Sequence, residues 1–483
     1  MVGGQTHVPG RPAILFNSVV FLLFAAAFFS LWPWMRRTNN GRWVYLTVTS
    51  FVFYGWWDWR FLFLLAGCGL LNFLAVLGMA AMPRTRRLML VISLLGSIGT
   101  LVAFKYSGFL AANADALAGW LGLGTNLGGS LPPLMAVLPV GISFYTFQAM
   151  SYAIDAYRGD VRPTRNVFHF FAYLSMFPQL VAGPIVRAAD LLPQLETVPR
   201  ATAEDRWQGL RLIVHGYFKK VVIADNLAHA VTISFEANEP ASGTLYWWLA
   251  VSMFAFQIYC DFSGYSDIAR GLAKWMGYEF RVNFDHPYVS TSLREFWSRW
   301  HISLSTLWRD YVYIPLGGSR RGAVRGHLNM WVAMVLSGFW HGASWSFVLW
   351  GALHSLYLSV ERITRWPARL LRIPGGRLMA TAVVLVLVWV AWVFFRADTL
   401  ERAMFVLANM FSLRPSAELP ETGALLFLGL AALREFYVAV RGDLRYDGTQ
   451  PWRRTLDPVV LSLMLAACVY LRGPGAEFIY FQF

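Results

Sequence analysis

A chain of 483 residues that is 57% hydrophobic and only 14% charged cannot coat a soluble surface, which places it among polytopic membrane proteins. Its formal net charge of +14 sits in short basic clusters between apolar runs, as the positive-inside rule expects of cytoplasmic loops, so nucleic acid is not needed to explain it. Cys68, Cys260 and Cys468 are far apart and lack CxxC or Cys/His spacing, which argues against a disulfide framework or a zinc site. No polar linker divides the chain, and one membrane-embedded domain is expected over 1–483.

Apolar runs long enough to cross a bilayer as helices lie near 13–34, 43–59, 61–82 and 88–112. No small-residue cleavage site follows the first, which reads as a retained anchor. Arg36, Arg37 and Arg42 follow the first run and Arg84, Arg86 and Arg87 the third, so both loops are assigned to the cytoplasm. Trp56, Trp57 and Trp59 suit an interfacial aromatic belt. The Gly/Pro/Asn-rich stretch 113–133 is expected as an external loop, followed by a helix over about 134–156. The apolar stretch after Arg165 is broken by Pro178, Gly183 and Pro184, and such breaks must be buried in protein or line a cavity.

The segment 207–235 carries Lys219 and Lys220, and 245–273 returns with Asp261 and Asp267 inside an apolar helix. Carboxylates at membrane depth are functional candidates. A spacing of six puts these two on different helical faces, however, and Arg270 and Lys274 are close enough in sequence to pair with Asp267. A structural polar network is therefore preferred to direct chemistry.

Seven arginines between Arg281 and Arg325 rule out a spanning helix there. Ser292 with Glu295 forms a capping-box pattern. Beyond it Trp297, Trp300, Leu304, Leu307, Trp308 and Tyr311 recur at three- and four-residue steps, predicting one amphipathic interfacial helix. On that helix His301 falls within about 40° of Trp297 and Trp308, on the apolar side. Residues 328–341 and 346–361 form two apolar arms flanked on both sides by basic clusters. This predicts a re-entrant hairpin with His341 near its apex. A first arm of fourteen residues reaches about 20 Å into a core of roughly 30 Å. Later apolar segments lie near 378–396, 403–413, 423–441 and 456–472, with one more cytoplasmic loop marked by Arg441, Arg445, Arg453 and Arg454, and the aromatic end FIYFQF is expected to pack back onto the bundle. The fold class is all-α, with about eleven spanning helices plus re-entrant and interfacial pieces.

A neutral imidazole at membrane depth is either paired or used, and near pH 7 it can take a proton from a hydroxyl. His341 sits at a break with Gly338 before it and Gly342 after it, where backbone can approach a ligand. Amides near Ser344 could stabilise an oxyanion. The alternative for His341 is a hydrogen bond that merely holds the break together. Among the nine histidines no HxxxH or HExxH spacing occurs, so no metal is expected, and His354 reads as a packed, hydrogen-bonded residue. GxSxG, Walker and GxGxxG patterns are also missing.

Several blocks in order, FYGWWDWRFL, LPVGISFYTFQAMSYAIDAYRG, MFPQLVAGPI, YCDFSGYSDIA, REFWSRWHISLS, DYVYIPLGG, FWHGASW and FIYFQF, resemble the membrane-bound O-acyltransferase family. The resemblance implies a helical bundle with its catalytic core at about 134–365, with His341 at the family's invariant histidine and His301 at its second active-site position. It also implies a cytoplasmic acetyl donor such as acetyl-CoA, with no permanently bound cofactor, and passage of the acetyl group across a bacterial inner membrane. The destination would be an exopolysaccharide such as alginate, reached with periplasmic acetyltransferase partners. His341 would activate the acceptor or carry the acetyl group, and His301 would assist it or orient the thioester. Asp261, Ser263, Trp297, Trp300, Trp340 and Ser344 are candidates for lining the substrate path. A transporter or flippase of an acyl donor or glycan, or a scaffold of a secretion complex, is the competing class. An arginine-rich segment with an inward histidine has no evident use in a transporter.

Overall fold

The computed structural model describes residues 16–180, 183–441 and 451–481. The start of the first apolar run, two residues of the broken segment, most of the loop carrying Arg445 and the last two residues of FIYFQF lie outside these. All regular structure among the described residues is helical. Packing divides the chain into two compact units, one of Met1–Gly209 with Ala269–Phe280, the other of Leu210–Ile268 with Arg281–Phe483.

In the first unit, Ser18 and Thr38 accept from the amides of Phe21 and Gly41 and start helices Val19–Met35 and Asn39–Gly55. Helix Arg60–Ala81 follows, and the fourth run extends further than expected. Pro83–Trp120 is continuous helix with a π turn at Val102–Tyr106, so the expected external loop begins only after Trp120. The small residues of AANADALAG carry little turn signal and simply extend the helix. The next helix, Ile142–Arg158, starts eight residues later than expected, and ends on Gly159 at φ 87, a left-handed position that glycine occupies without strain.

The broken segment behaves as its prolines require. Val167–Leu174 and Phe177–Leu180 are short helices, and the backbone between them is satisfied by side chains: Phe177 N donates to Ser50 Oγ at 3.0 Å and Gln179 Nε2 donates to the Tyr173 carbonyl at 2.5 Å. Phe177, Pro178, Gln179 and Leu180 are all buried. Irregular backbone survives in an apolar setting only when protein satisfies it in this way.

The second unit holds most of the helical run Ala203–Tyr217, Phe218–Ala224 and Asp225–Glu236 and most of the 33-residue helix Thr244–Met276. Around these pack the hairpin arms Ala323–His341 and Trp345–Thr364, then Gly376–Arg396, Leu400–Met410, Thr422–Arg441 and Pro451–Tyr470. Its core is aromatic: Trp247, Trp300, Trp350 and Trp392 are all essentially inaccessible. By length and apolar composition Arg60–Ala81, Pro83–Trp120, Gly376–Arg396 and Thr422–Val440 can each cross a membrane, and the other helices among the described residues fall short of that in length, hydropathy or charge, so the expected count of about eleven spans is not reached by these criteria.

The hairpin arms run 19 and 20 residues. The first is therefore about 28 Å long at 1.5 Å per residue, not the expected 20 Å, because Ala323–His327 joins the helix despite its polarity. Close approach of the arms depends on Gly338, where a Cβ would lie 2.2 Å from the Phe347 carbonyl oxygen. Small residues at such crossings are how helices pack where no hydrophobic driving force separates them from lipid.

Candidate active site

His301 does not lie on a continuous amphipathic helix. Helix Leu293–Arg299 ends at Trp300, His301 takes a left-handed backbone conformation at φ 42, and a second helix, Ile302–Trp308, begins immediately. Such a conformation is uncommon for a residue with a Cβ, and it persists only where surrounding contacts hold it. Here Ile302 N donates to the Asn283 carbonyl at 2.9 Å and Asp285 N to the Arg299 carbonyl at 2.9 Å, fixing the break on both sides. The helix start is held twice. Ser292 Oγ accepts from Glu295 N at 3.0 Å, and the Glu361 carboxylate of the second hairpin arm accepts from Leu293 N at 2.6 Å and Arg294 N at 3.2 Å. The capping box is rearranged: the Glu295 carboxylate reaches Thr291 N and Oγ1, each at 2.8 Å, one residue earlier than the pattern implies.

The break swings the imidazole fully inside, at 0% exposure. The helical wheel thus reached the right burial through a helix that is interrupted at the residue in question. His301 Nδ1 lies 3.2 Å from Asn283 Oδ1, which also accepts from Ser303 N at 3.2 Å and Ser303 Oγ at 2.9 Å. A backbone amide can only donate, so this atom is the carbonyl oxygen of Asn283, and the shorter contact is a hydrogen bond when Nδ1 carries the proton, with Ser303 Oγ at 3.4 Å from the same nitrogen. The other nitrogen, Nε2, has no hydrogen-bond partner among the described residues and presents its lone pair. Burial pushes the His301 pKa down to about 3, so the ring is neutral at physiological pH. A neutral imidazole oriented in this way offers Nε2 as a hydrogen-bond acceptor to a group entering the pocket.

His341 closes the first hairpin arm, as the sequence predicted for the apex, and is 3% exposed. Its ring centroid is 4.9 Å from Trp340, 5.2 Å from Trp350, 5.2 Å from Phe395 and 5.6 Å from Tyr480. His301 touches two of the same rings, Trp340 at 6.2 Å and Tyr480 at 6.3 Å, along with Phe262 at 4.6 Å. Trp340 and Tyr480 thus bridge the two histidines.

The remaining candidates divide. Trp297 lies one ring further out, 5.7 Å from Trp350 and 5.0 Å from His354. Trp300 packs on Tyr259, Phe284, Phe296 and Trp392 as part of the core. Ser344 is half-buried at the start of the second arm, without a side-chain capping bond. Ser263 is buried and its hydroxyl has no partner among the described residues. Asp261 is not among the rings. It pairs with Lys220 at 2.8 Å. Asp267 pairs with Lys219 at 2.7 Å, 48 residues away, while Lys274 pairs instead with Glu279 at 2.6 Å, since the helix face of Asp267 turns toward the preceding helical run. His354 is packed between Trp297 and Trp350, but neither ring nitrogen finds a hydrogen bond among the described residues, against expectation. Its neighbours there are aromatic faces.

Sequence reasoning missed Asn283 and Tyr480. Asn283 stands in an unremarkable loop, and only its contact 18 residues on gives it meaning. The aromatic end was expected to pack back, which it does, but nothing in it indicated the two histidines.

The two buried histidines share one aromatic pocket. The chain belongs to the membrane-bound O-acyltransferase family, whose profile matches residues 13–400, and it is an O-acyltransferase. It is similar to the probable alginate O-acetylase AlgI of Pseudomonas putida, with 36% identity over 97% of this chain and 100% of the relative. The namesake of Pseudomonas aeruginosa is 39% identical over 83% of this chain and 75% of the relative. The peptidoglycan O-acetyltransferase of Helicobacter pylori is 34% identical over 77% of this chain and 74% of the relative.

Proposed function

We propose that the protein transfers acetyl groups from a cytoplasmic thioester donor, acetyl-CoA, across a bacterial inner membrane to O-acetylate an exopolysaccharide such as alginate, working beside periplasmic acetyltransferases. The observation that carries the reading is the His301–His341 pocket with its fixed His301 tautomer. The identities of the relatives favour a cell-envelope glycan as destination, and the basic clusters suit the phosphates of CoA.

In this reading the Nε2 lone pair of His301 takes the proton of the acceptor hydroxyl. The hydroxyl oxygen bonds to the thioester carbonyl carbon, the carbon–sulfur bond breaks, and the proton passes to the departing thiolate. His341, at the tip of the hairpin against Trp340, holds the thioester in line. Proton transfer by a placed base contributes about 10²–10⁴-fold. The test is transfer of label from acetyl-CoA in membranes that also hold the periplasmic partners, comparing wild type with His341→Ala. Loss of transfer is expected. Undiminished transfer in the variant refutes the site, and no turnover of acetyl-CoA by the wild type would favour transport or scaffolding.

A further inference from the structure

The segment from Leu471 to Phe478 has no helix of its own, yet it delivers Tyr480 to both histidines. Its backbone is held by charged side chains from elsewhere. Lys220 Nζ lies 2.8 Å from Asp225 Oδ1 and 2.8 Å from Asp261 Oδ1, and all three side chains are at most 3% exposed. The same ammonium donates to the Ala476 carbonyl at 3.0 Å, and the Asp225 carboxylate accepts a backbone hydrogen bond from Ala476. Asp261 Oδ2 accepts from Ile479 N at 2.8 Å, one residue before Tyr480. Upstream, Gly473 N donates to the Val221 carbonyl at 3.1 Å and Asn226 Nδ2 to the Leu471 carbonyl at 2.9 Å.

Three buried charges are a poor way to gain stability, because desolvation offsets their attraction, and apolar residues of similar volume often serve as well or better. What the charges add is direction. Each has a lone pair or a proton aimed at a named atom of the segment.

We propose that Lys220, Asp225 and Asp261 form a clamp that positions the C-terminal segment, keeping the Tyr480 ring seated against His301 and His341. They are positioning residues, and Asp261, prominent in the sequence as a carboxylate in an apolar helix, acts through the segment and not on substrate. The proposal rests on the two histidines being the reacting pair.

The test replaces the clamp with apolar residues, Lys220→Met, Asp225→Leu and Asp261→Leu together, which leaves no unpaired buried charge. In purified full-length protein, chymotrypsin cleavage after Phe478 or Tyr480, read by mass, should quicken about tenfold or more as the segment opens locally. Acetyl transfer from labelled acetyl-CoA should fall about 10²-fold in kcat, the cost of a misplacement of about 1 Å, with donor KM nearly unchanged. A second variant deletes 476–483 and leaves the charges in place. It should lose kcat to the same extent, and combining it with the triple substitution should add nothing further. A folded triple variant with a protected end and full kcat overturns the proposal, and so does a fully active deletion. If the triple variant does not fold, the deletion decides alone. Cleavage does not depend on catalysis, so failure of the clamp is distinguishable from failure of the histidine site, which His341→Ala reports separately.

Discussion

Asn283→Ala removes the oxygen that accepts from His301 Nδ1, Ser303 N and Ser303 Oγ. The three losses do not add. The Ser303 hydroxyl can rotate and the imidazole can move its proton to Nε2, but the Ser303 amide cannot replace its bond by rotation. Loss of one such bond costs about 0.5–1.5 kcal/mol, which sets the expected loss of stability. Catalysis suffers differently: once the proton sits on Nε2, His301 no longer offers a lone pair to the acceptor. A fall in kcat of about 10²-fold, the lower end of general-base contributions, is expected with donor KM little changed. Asn283→Asp keeps the same three acceptor contacts but adds a negative charge, which favours the imidazolium. The pKa of His301, held down to about 3 by burial, then rises. Because the base works only when unprotonated, the acid limb of the pH–rate profile must move to higher pH. The assay is initial-rate acetyl transfer across pH for the two variants beside wild type. Wild-type kcat in Asn283→Ala, or an unmoved acid limb in Asn283→Asp, would show that His301 is not held as the base.

The other expectations concern the hairpin and its surroundings. Gly338→Ala places a methyl 2.2 Å from the Phe347 carbonyl oxygen, so the arms must part, and a loss of about 1–3 kcal/mol is expected in thermal unfolding of the purified protein, with activity falling alongside. His354→Phe removes two buried nitrogens that lack protein partners and keeps the ring packing of Trp297 and Trp350. It should raise the unfolding temperature, by an amount corresponding to about 1 kcal/mol or more. A lower unfolding temperature would mean that the nitrogens are satisfied by a bound group.

Much was legible without coordinates because it is local. Composition identified a membrane protein, long apolar runs marked the helices Arg60–Ala81, Gly376–Arg396 and Thr422–Arg441, and Gly338 with Gly342 marked the break at which His341 sits. The errors were also local in origin. Periodicity continued a helix through His301 because tryptophan and leucine spacing stays in phase across the break. It missed the extension to Trp120 because the expected loop began at residues that are equally good in helix.

By itself the sequence determined the class, the long apolar helices and the hairpin with His341 at its tip, since each depends on composition or on spacing within a few turns. Only the tertiary structure decided which nitrogen of His301 is free, because that depends on a loop asparagine 18 residues away. It alone also decided that Tyr480 reaches the pair, and that Asp261 serves the segment carrying it, through a contact 218 residues apart in the chain. Hydrophobic period reports which face of an element is buried. It carries no record of the distant residue against which that face is buried, and the chemistry of a site depends on that partner.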